Sequence, residues 1–245
     1  MGNSMDISKQ SSALVPWSTE SGNSTVLVCI PWAGAGATPF HAWGPVIGDA
    51  AAVYGVRLAG RESRQVEPPA TSLADVVTEL VEELSALGAS RVALFGQCSG
   101  ALTAFEVARA LTSLGSGPEL VQLFVASQLP PRVLADRRLD PSQDPARYVP
   151  EHLRGEPELM EVLLPILTAD MELVAKYAYM PGAPLGVPLT AVYGELDDDL
   201  DRTVVDGWRH ETTGETVVHE IAGADHLFGG AAWLDLARSV RSLLS

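Results

Sequence analysis

The chain has 245 residues, 47% of them hydrophobic, which suits one α/β domain with a full core. A formal net charge of -15 and a sequence pI near 4.6 exclude nucleic acid and an anionic membrane surface as main partners. Its two cysteines, Cys29 and Cys98, fall in separate apolar strands and make neither a disulfide framework nor a metal cluster. There is no basic-then-apolar leader and no run near the ~20 residues of a membrane span, so a cytoplasmic protein is expected.

Residues 1–24 are rich in Ser, Asn and Gly without a period and read as a mobile leader; one domain over 25–245 is expected to follow. Thr25 to Ile30 is an apolar strand of the kind buried on both faces, and Cys29 within it is a core residue. The loop Trp32-Ala33-Gly34-Ala35-Gly36 is small enough for backbone N–H groups to approach a ligand. A short helix is expected near Phe40 to Ile47. A dinucleotide loop is the competing reading, but the third glycine and the acidic partner after a second strand are missing. Val53 to Leu58 is the next strand, and Gly60-Arg61-Glu62-Ser63-Arg64 leaves its end. From Ser72 the apolar residues keep helical spacing to Leu87, with Asp75, Glu79, Glu82 and Glu83 opposite as a solvated face.

Val92 to Phe95 is a short apolar run, and from Ala101 the period is that of a helix. Gly96 and Gly100 bracket the turn between them, with Cys98 at its centre. This strand-turn-helix is a nucleophile elbow written with cysteine; a buried structural cysteine is the bland alternative. Ser99 sits one place too late to be the nucleophile and opens the helix. Its backbone N–H is the expected second half of an oxyanion hole, and Ala33 of the earlier loop the first. Leu120 to Ala126 gives another strand, and the alternation of strand and helix predicts a mostly parallel sheet covered on both faces.

Between Pro130 and Pro188 the pattern breaks into a polar, proline-punctuated stretch and two helical segments, near Glu158 to Leu164 and Ile166 to Tyr177. A lid insertion over about 132–187 is expected, with two ordinary packing helices as the alternative. Leu159, Leu163, Leu167 and Met171 make its apolar stripe, which Trp32 and Phe40 could meet from the earlier loop to line a substrate pocket. Leu189 to Tyr193 and Thr216 to Ile221 are late strands, and a last helix runs from Trp233 to Leu244. Asp197 follows one strand and His226 the other, in the nucleophile, acid, histidine order of an α/β-hydrolase triad. Asp198 and Asp199 are rivals to Asp197. His41, His152, His210 and His219 fit the order worse than His226.

The segments CIPWAGAGATPF (Cys29 to Phe40), GRESRQVEPP (Gly60 to Pro69), LFVASQLPP (Leu123 to Pro131) and LPILTADMELVAKYAY (Leu164 to Tyr179), with the elbow and the Gly194 and His226 loops, together resemble the type II thioesterases. These stand-alone α/β-hydrolases serve polyketide and non-ribosomal peptide synthetases. The resemblance covers nearly everything after residue 25. It implies an α/β-hydrolase fold with a helical lid over an acyl channel, a Cys98, Asp197, His226 triad, and no bound cofactor. The implied substrate is an acyl thioester on the phosphopantetheine of an acyl or peptidyl carrier protein, and a monomer is expected. The family's elbow is usually GHSMG, whereas Gln97, Cys98 and Ser99 fill its variable places here, and Asp198 stands where a proline is common. Thioester hydrolysis, acyl transfer or cyclisation from the cysteine, and non-catalytic acyl binding are the competing functions. An intact triad argues against the last, because a binding module needs no general base. Carrier proteins are generally acidic, so Arg132, Arg137, Arg138, Arg147 and Arg154 beside the lid are the expected docking charges.

Overall fold

The computed structural model describes residues 12–18, 25–136, 145–149 and 154–244. Seven strands form one sheet in the order β1-β3-β2-β4-β5-β6-β7: β1 Leu14–Pro16, β2 Thr25–Ile30, β3 Ala52–Val56, β4 Arg91–Gln97, β5 Glu119–Ala126, β6 Leu189–Gly194 and β7 Thr216–Ile221. Every pairing is parallel except the edge pair β1 with β3. The central strands are apolar because both their faces are covered. Val26, Val28 and Ile30 join one core with α1 (Leu73–Ala86) and α2 (Ser99–Leu114), while Leu27 and Cys29 join another with α4 (Ala232–Leu243). The intervening α3 (Pro157–Ala175) lies in the segment expected to be a lid.

Strand order decides where the site falls. From β2 the chain moves outward to β3, then returns to place β4 on the other side of β2, so the carboxyl ends of β2 and β4 flank the topological switch point. The Trp32 loop leaves one of those ends and the Cys98 turn the other.

Four expectations need correction. Leu14–Pro16 is an edge strand, with Ala13 and Leu14 buried, so the leader reading extends too far. The Glu83 carboxylate accepts the Ala13 and Leu14 N–H groups at 2.7 and 3.0 Å and the Ser12 hydroxyl at 2.6 Å. Glu79 pairs with Arg64 at 2.6 Å, so the acidic face of α1 anchors neighbouring segments besides meeting water. The two helices expected around Pro165 are one, since that ring sits on the exposed side, where the helix bond it deletes, to the Glu161 carbonyl, can be replaced by water. The short helix after the Trp32 loop is a 3-10 turn, Thr38–Trp43, running into one α-turn, Gly44–Ile47. No described helix is long and apolar enough to cross a membrane.

Candidate active site

Cys98 stands between β4 and α2 with φ 52° and ψ -123°, a strained backbone for any residue with a Cβ. Its N–H donates to Ala126 O of β5 at 2.8 Å, and its carbonyl accepts the Ala101 N–H at 2.9 Å. The turn is this tight because both flanking residues lack side chains. A Cβ on Gly96 would run into the Gly100 backbone, and one on Gly100 into the carbonyls of Ile30 and Pro31. Cys98 is half-buried, whereas Cys29 is fully enclosed and burial pushes its thiol pKa well up. Ser99 opens α2, so its N–H has no carbonyl four residues earlier in the helix to bond.

The two late loops are laced together. Leu196 N–H donates to Ala224 O at 2.8 Å, and Gly223 N–H donates to the Glu195 carboxylate at 2.8 Å. Asp225 orders the turn after His226 by accepting the Leu227 and Gly229 N–H groups at 3.1 and 2.9 Å. Asp197 Oδ2 thereby comes to 2.7 Å from His226 Nδ1. Asp197 is buried and its other oxygen accepts the Asp199 N–H at 3.2 Å, while Asp198 and Asp199 are exposed. Among the three aspartates the histidine's partner is Asp197. Burial works to lower the His226 pKa, but hydrogen bonds with Asp197 and Cys98, and the charges of both, push it from 6.5 up to about 10. Asp197 and His226 are thus joined by a hydrogen bond, and Cys98 is close enough to the imidazole to help raise its pKa. Beneath them the buried Gln97 amide reaches the His226 carbonyl at 3.4 Å.

The family model described as a thioesterase domain matches residues 25–232. The chain belongs to the thioesterase family. It is thus a hydrolase acting on thioesters. It is 32% identical over 211 residues to the gramicidin S biosynthesis protein GrsT of Aneurinibacillus migulanus, covering 82% of each chain. With the medium-chain S-acyl fatty acid synthase thioesterase of Rattus norvegicus it shares 30% over 216 residues, 82% of this chain and 80% of that one. The thioesterase RedJ from the prodiginine biosynthetic pathway of Streptomyces coelicolor superimposes with a TM-score of 0.82 at 28% identity, covering 92% of this chain and 94% of RedJ.

The expected pocket residues separate. A small cavity of about 20 Å³ lies beside Ser99 and Gly100, between α1, α2 and α3, lined by Trp32, Leu73, Val76, Leu102, Leu173 and Val174 among others. Trp32 is part of this lining. Phe40 does not: it is fully buried on the opposite side of the sheet, against Trp43, Phe95 and Trp233 at centroid distances of 5.4, 6.0 and 5.4 Å. On α3 the buried residues are Leu167, Asp170 and Leu173, while Leu163 and Met171 are half-buried and outside the cavity lining. A strict four-residue repeat turns away by ~40° at each step, so the stripe from Leu159 cannot hold one face. Leu167 packs on the Gly34 turn instead.

Sequence reasoning missed two charged residues here. Arg61 and Asp170, both buried, form a bidentate pair at 2.7 and 2.6 Å beneath the Trp32 loop. Neighbouring Glu62, at φ 49°, accepts the Thr38 N–H and hydroxyl at 3.0 and 2.6 Å. The glycine-led GRES segment was visible as a loop, but an acid inside an amphipathic helix gives no signal of burial.

The start and end of the inserted segment meet at buried Glu211. It accepts from Arg132 Nε at 2.8 Å and from Tyr179 OH at 2.9 Å, and Arg132 lies over the Tyr179 ring. Burial, then the hydrogen bond to Glu211, raises the Tyr179 pKa. Arg132 therefore has a structural partner beyond the docking role expected for it. Arg154 donates to Val149 O at 2.7 Å; Arg137, Arg138 and the Arg147 side chain lie outside the described residues.

Proposed function

We propose that this chain is a type II thioesterase of non-ribosomal peptide or polyketide biosynthesis. It hydrolyses acyl groups held as thioesters on carrier-protein phosphopantetheine. The observation that carries the reading is the Asp197 to His226 bond of 2.7 Å in a group that also includes the elbow cysteine. The likeness to GrsT and RedJ, named for gramicidin S and prodiginine biosynthesis, supports the pathway class.

In this mechanism Cys98 Sγ, its proton held by His226, attacks the thioester carbonyl carbon. The oxygen takes up the electron pair and points to the Ala33 and Ser99 N–H groups. The tetrahedral species collapses by breaking the bond to the pantetheine sulfur, which leaves with the proton from His226. Neutral His226 then removes a proton from water, the oxygen attacks the acyl carbon, and the bond to Cys98 Sγ breaks to give free acid and regenerated thiol. Asp197 holds the imidazole through Nδ1, leaving Nε2 for both transfers. No cofactor takes part. Trp32, Leu173 and Val174 border the acyl chain, which enters alongside α3.

Incubation with acyl-pantetheine thioesters in the presence of amines and alcohols, followed by mass analysis of products, tests this directly. Free acid as the dominant product is expected; predominant amide or ester would replace hydrolysis with acyl transfer.

A further inference from the structure

We propose that the buried Arg61–Asp170 pair is a positioning element that aims the Ala33 N–H at the reacting oxygen and links that aim to the seating of α3. The proposal rests on the reading of Cys98 as nucleophile and Ala33 as oxyanion donor.

The Ala33 N–H shares a peptide plane with Trp32 O, so whatever fixes that carbonyl fixes the donor's direction. Trp32 O accepts the Ala35 N–H at 3.1 Å. The Ala35 carbonyl in turn accepts from Arg61 Nη1 at 2.8 Å. On the other side of Ala33, the Gly34 N–H donates to Asp170 Oδ2 at 2.7 Å, the same oxygen that accepts from Arg61 Nη1 at 2.7 Å. Arg61 Nη2 closes the fork on Oδ1 at 2.6 Å. The peptide group after Ala33 thus ends directly on the ion pair, and the one before it is tied to the pair through Ala35.

Its members come from different elements. Arg61 belongs to the loop after β3, and Asp170 to α3, whose Leu167 also packs on the Gly34 turn. Gly34 has φ 82°, the value for the third residue of a type II turn, here closed by the Trp32 O to Ala35 N–H bond. The pair adds a second restraint, which ties that turn to α3. Both side chains are at least 93% buried, where ionised groups are costly unless well paired, and every one of their polar atoms except Arg61 Nε has a hydrogen-bond partner. Asp170 also lines the cavity that Trp32 and Ser99 border, so the clamp stands beside both expected oxyanion loops. When α3 is seated the oxyanion donor is aimed, and when α3 lifts Asp170 leaves with it and the Gly34 N–H loses its acceptor.

The test measures the acylation rate constant per acylatable site on a short acyl-pantetheine thioester, for wild type, Asp170→Ala, Asp170→Asn, Arg61→Ala and the Arg61→Ala/Asp170→Ala double variant. Burst amplitude counts the acylatable sites, and Cys98→Ala serves as control. A drop of about 10²-fold per site is expected for each alanine variant, the scale of losing one oxyanion donor, with KM within about threefold. The double variant should be no slower than either single one, because the two act as a unit. Asp170→Asn still offers an acceptor to Gly34 and should lose only about tenfold. A purely structural pair would lower burst amplitude and melting temperature but leave the rate per site intact, and that result overturns the proposal. If the alanine variants fail to fold, Asp170→Asn acylating at the wild-type rate per site overturns it equally. Wild-type turnover in Cys98→Ala, by contrast, would sink the nucleophile reading itself.

Discussion

Asp197 Oδ2 lies 2.7 Å from His226 Nδ1, with the carboxylate buried and the imidazole side chain still 32% exposed. This orientation fixes which ring nitrogen is free for chemistry. Replacing Asp197 by Asn keeps the shape but permits the wrong tautomer, and kcat is expected to fall by about 10²- to 10⁴-fold. Asp198→Asn and Asp199→Asn should stay within about threefold of wild type, since both side chains are exposed. Steady-state kinetics on an acyl-pantetheine thioester checks the contrast. Equal losses in all three would remove Asp197 from its role.

The second prediction concerns protons. His226 is raised to about 10 against the burial that lowers it, so the free enzyme carries an imidazolium from neutral pH to near pH 10. Acylation, which needs that proton for the leaving sulfur, should hold up to about pH 10 and fall above it. Deacylation needs the neutral ring, and acylation removes the contribution Cys98 makes to raising it. Its midpoint should therefore lie below that of acylation. Asp197→Asn and Cys98→Ala should each lower the His226 midpoint, because each removes a raising contribution and leaves the burial. An NMR titration of the ring reads this, and an unshifted midpoint in both variants contradicts it.

The acyl site supplies the third. Leu173→Trp or Val174→Trp adds bulk at the cavity wall and should shift preference to shorter chains by several-fold in kcat/KM, while Met171→Trp should not. Phe40→Ala should destabilise the fold by about 3–5 kcal/mol in denaturant unfolding, the usual cost of emptying a packed aromatic site, and leave chain preference unchanged. A changed preference in Phe40→Ala, or none in the cavity variants, would relocate the channel.

These contrasts trace what the sequence could tell. The strand-turn-helix around Cys98, the late strands and the partnership of Asp197 with His226 were legible because each rests on local rules: a run of β-forming residues, a glycine-flanked turn, a loop after a strand. Phe40 misled because an aromatic beside a ligand loop reads the same whether it points to ligand or core, and only the sheet face it reaches separates the two. Arg61 and Asp170 are 109 residues apart, and no local pattern marks a pair that the fold alone brings together. The edge strand at Leu14 is too short to carry a period, and its order comes from Glu83 of α1.

Docking gives the fourth. Arg132→Glu sets a new carboxylate against Glu211 and disturbs the joint between the start and end of the inserted segment. It should reduce activity on carrier-bound and small pantetheine substrates alike. Reversing Arg137 and Arg138 together should weaken only the carrier-bound reaction, with a strong salt dependence, because steering by charge leaves the chemistry untouched. Parallel kcat/KM values on the two substrates decide it. Equal losses for the Arg137 and Arg138 reversal would remove those residues from docking.

Cys98 as the covalent nucleophile is the claim from which the mechanism follows, and intact-protein mass spectrometry after rapid mixing with an acyl-pantetheine thioester tests it most directly. The account predicts one acyl group per chain, mapped by peptide digestion to Cys98, with none in Cys98→Ala and no adduct on buried Cys29. An acyl group on Ser99, or full turnover by Cys98→Ala, would contradict it.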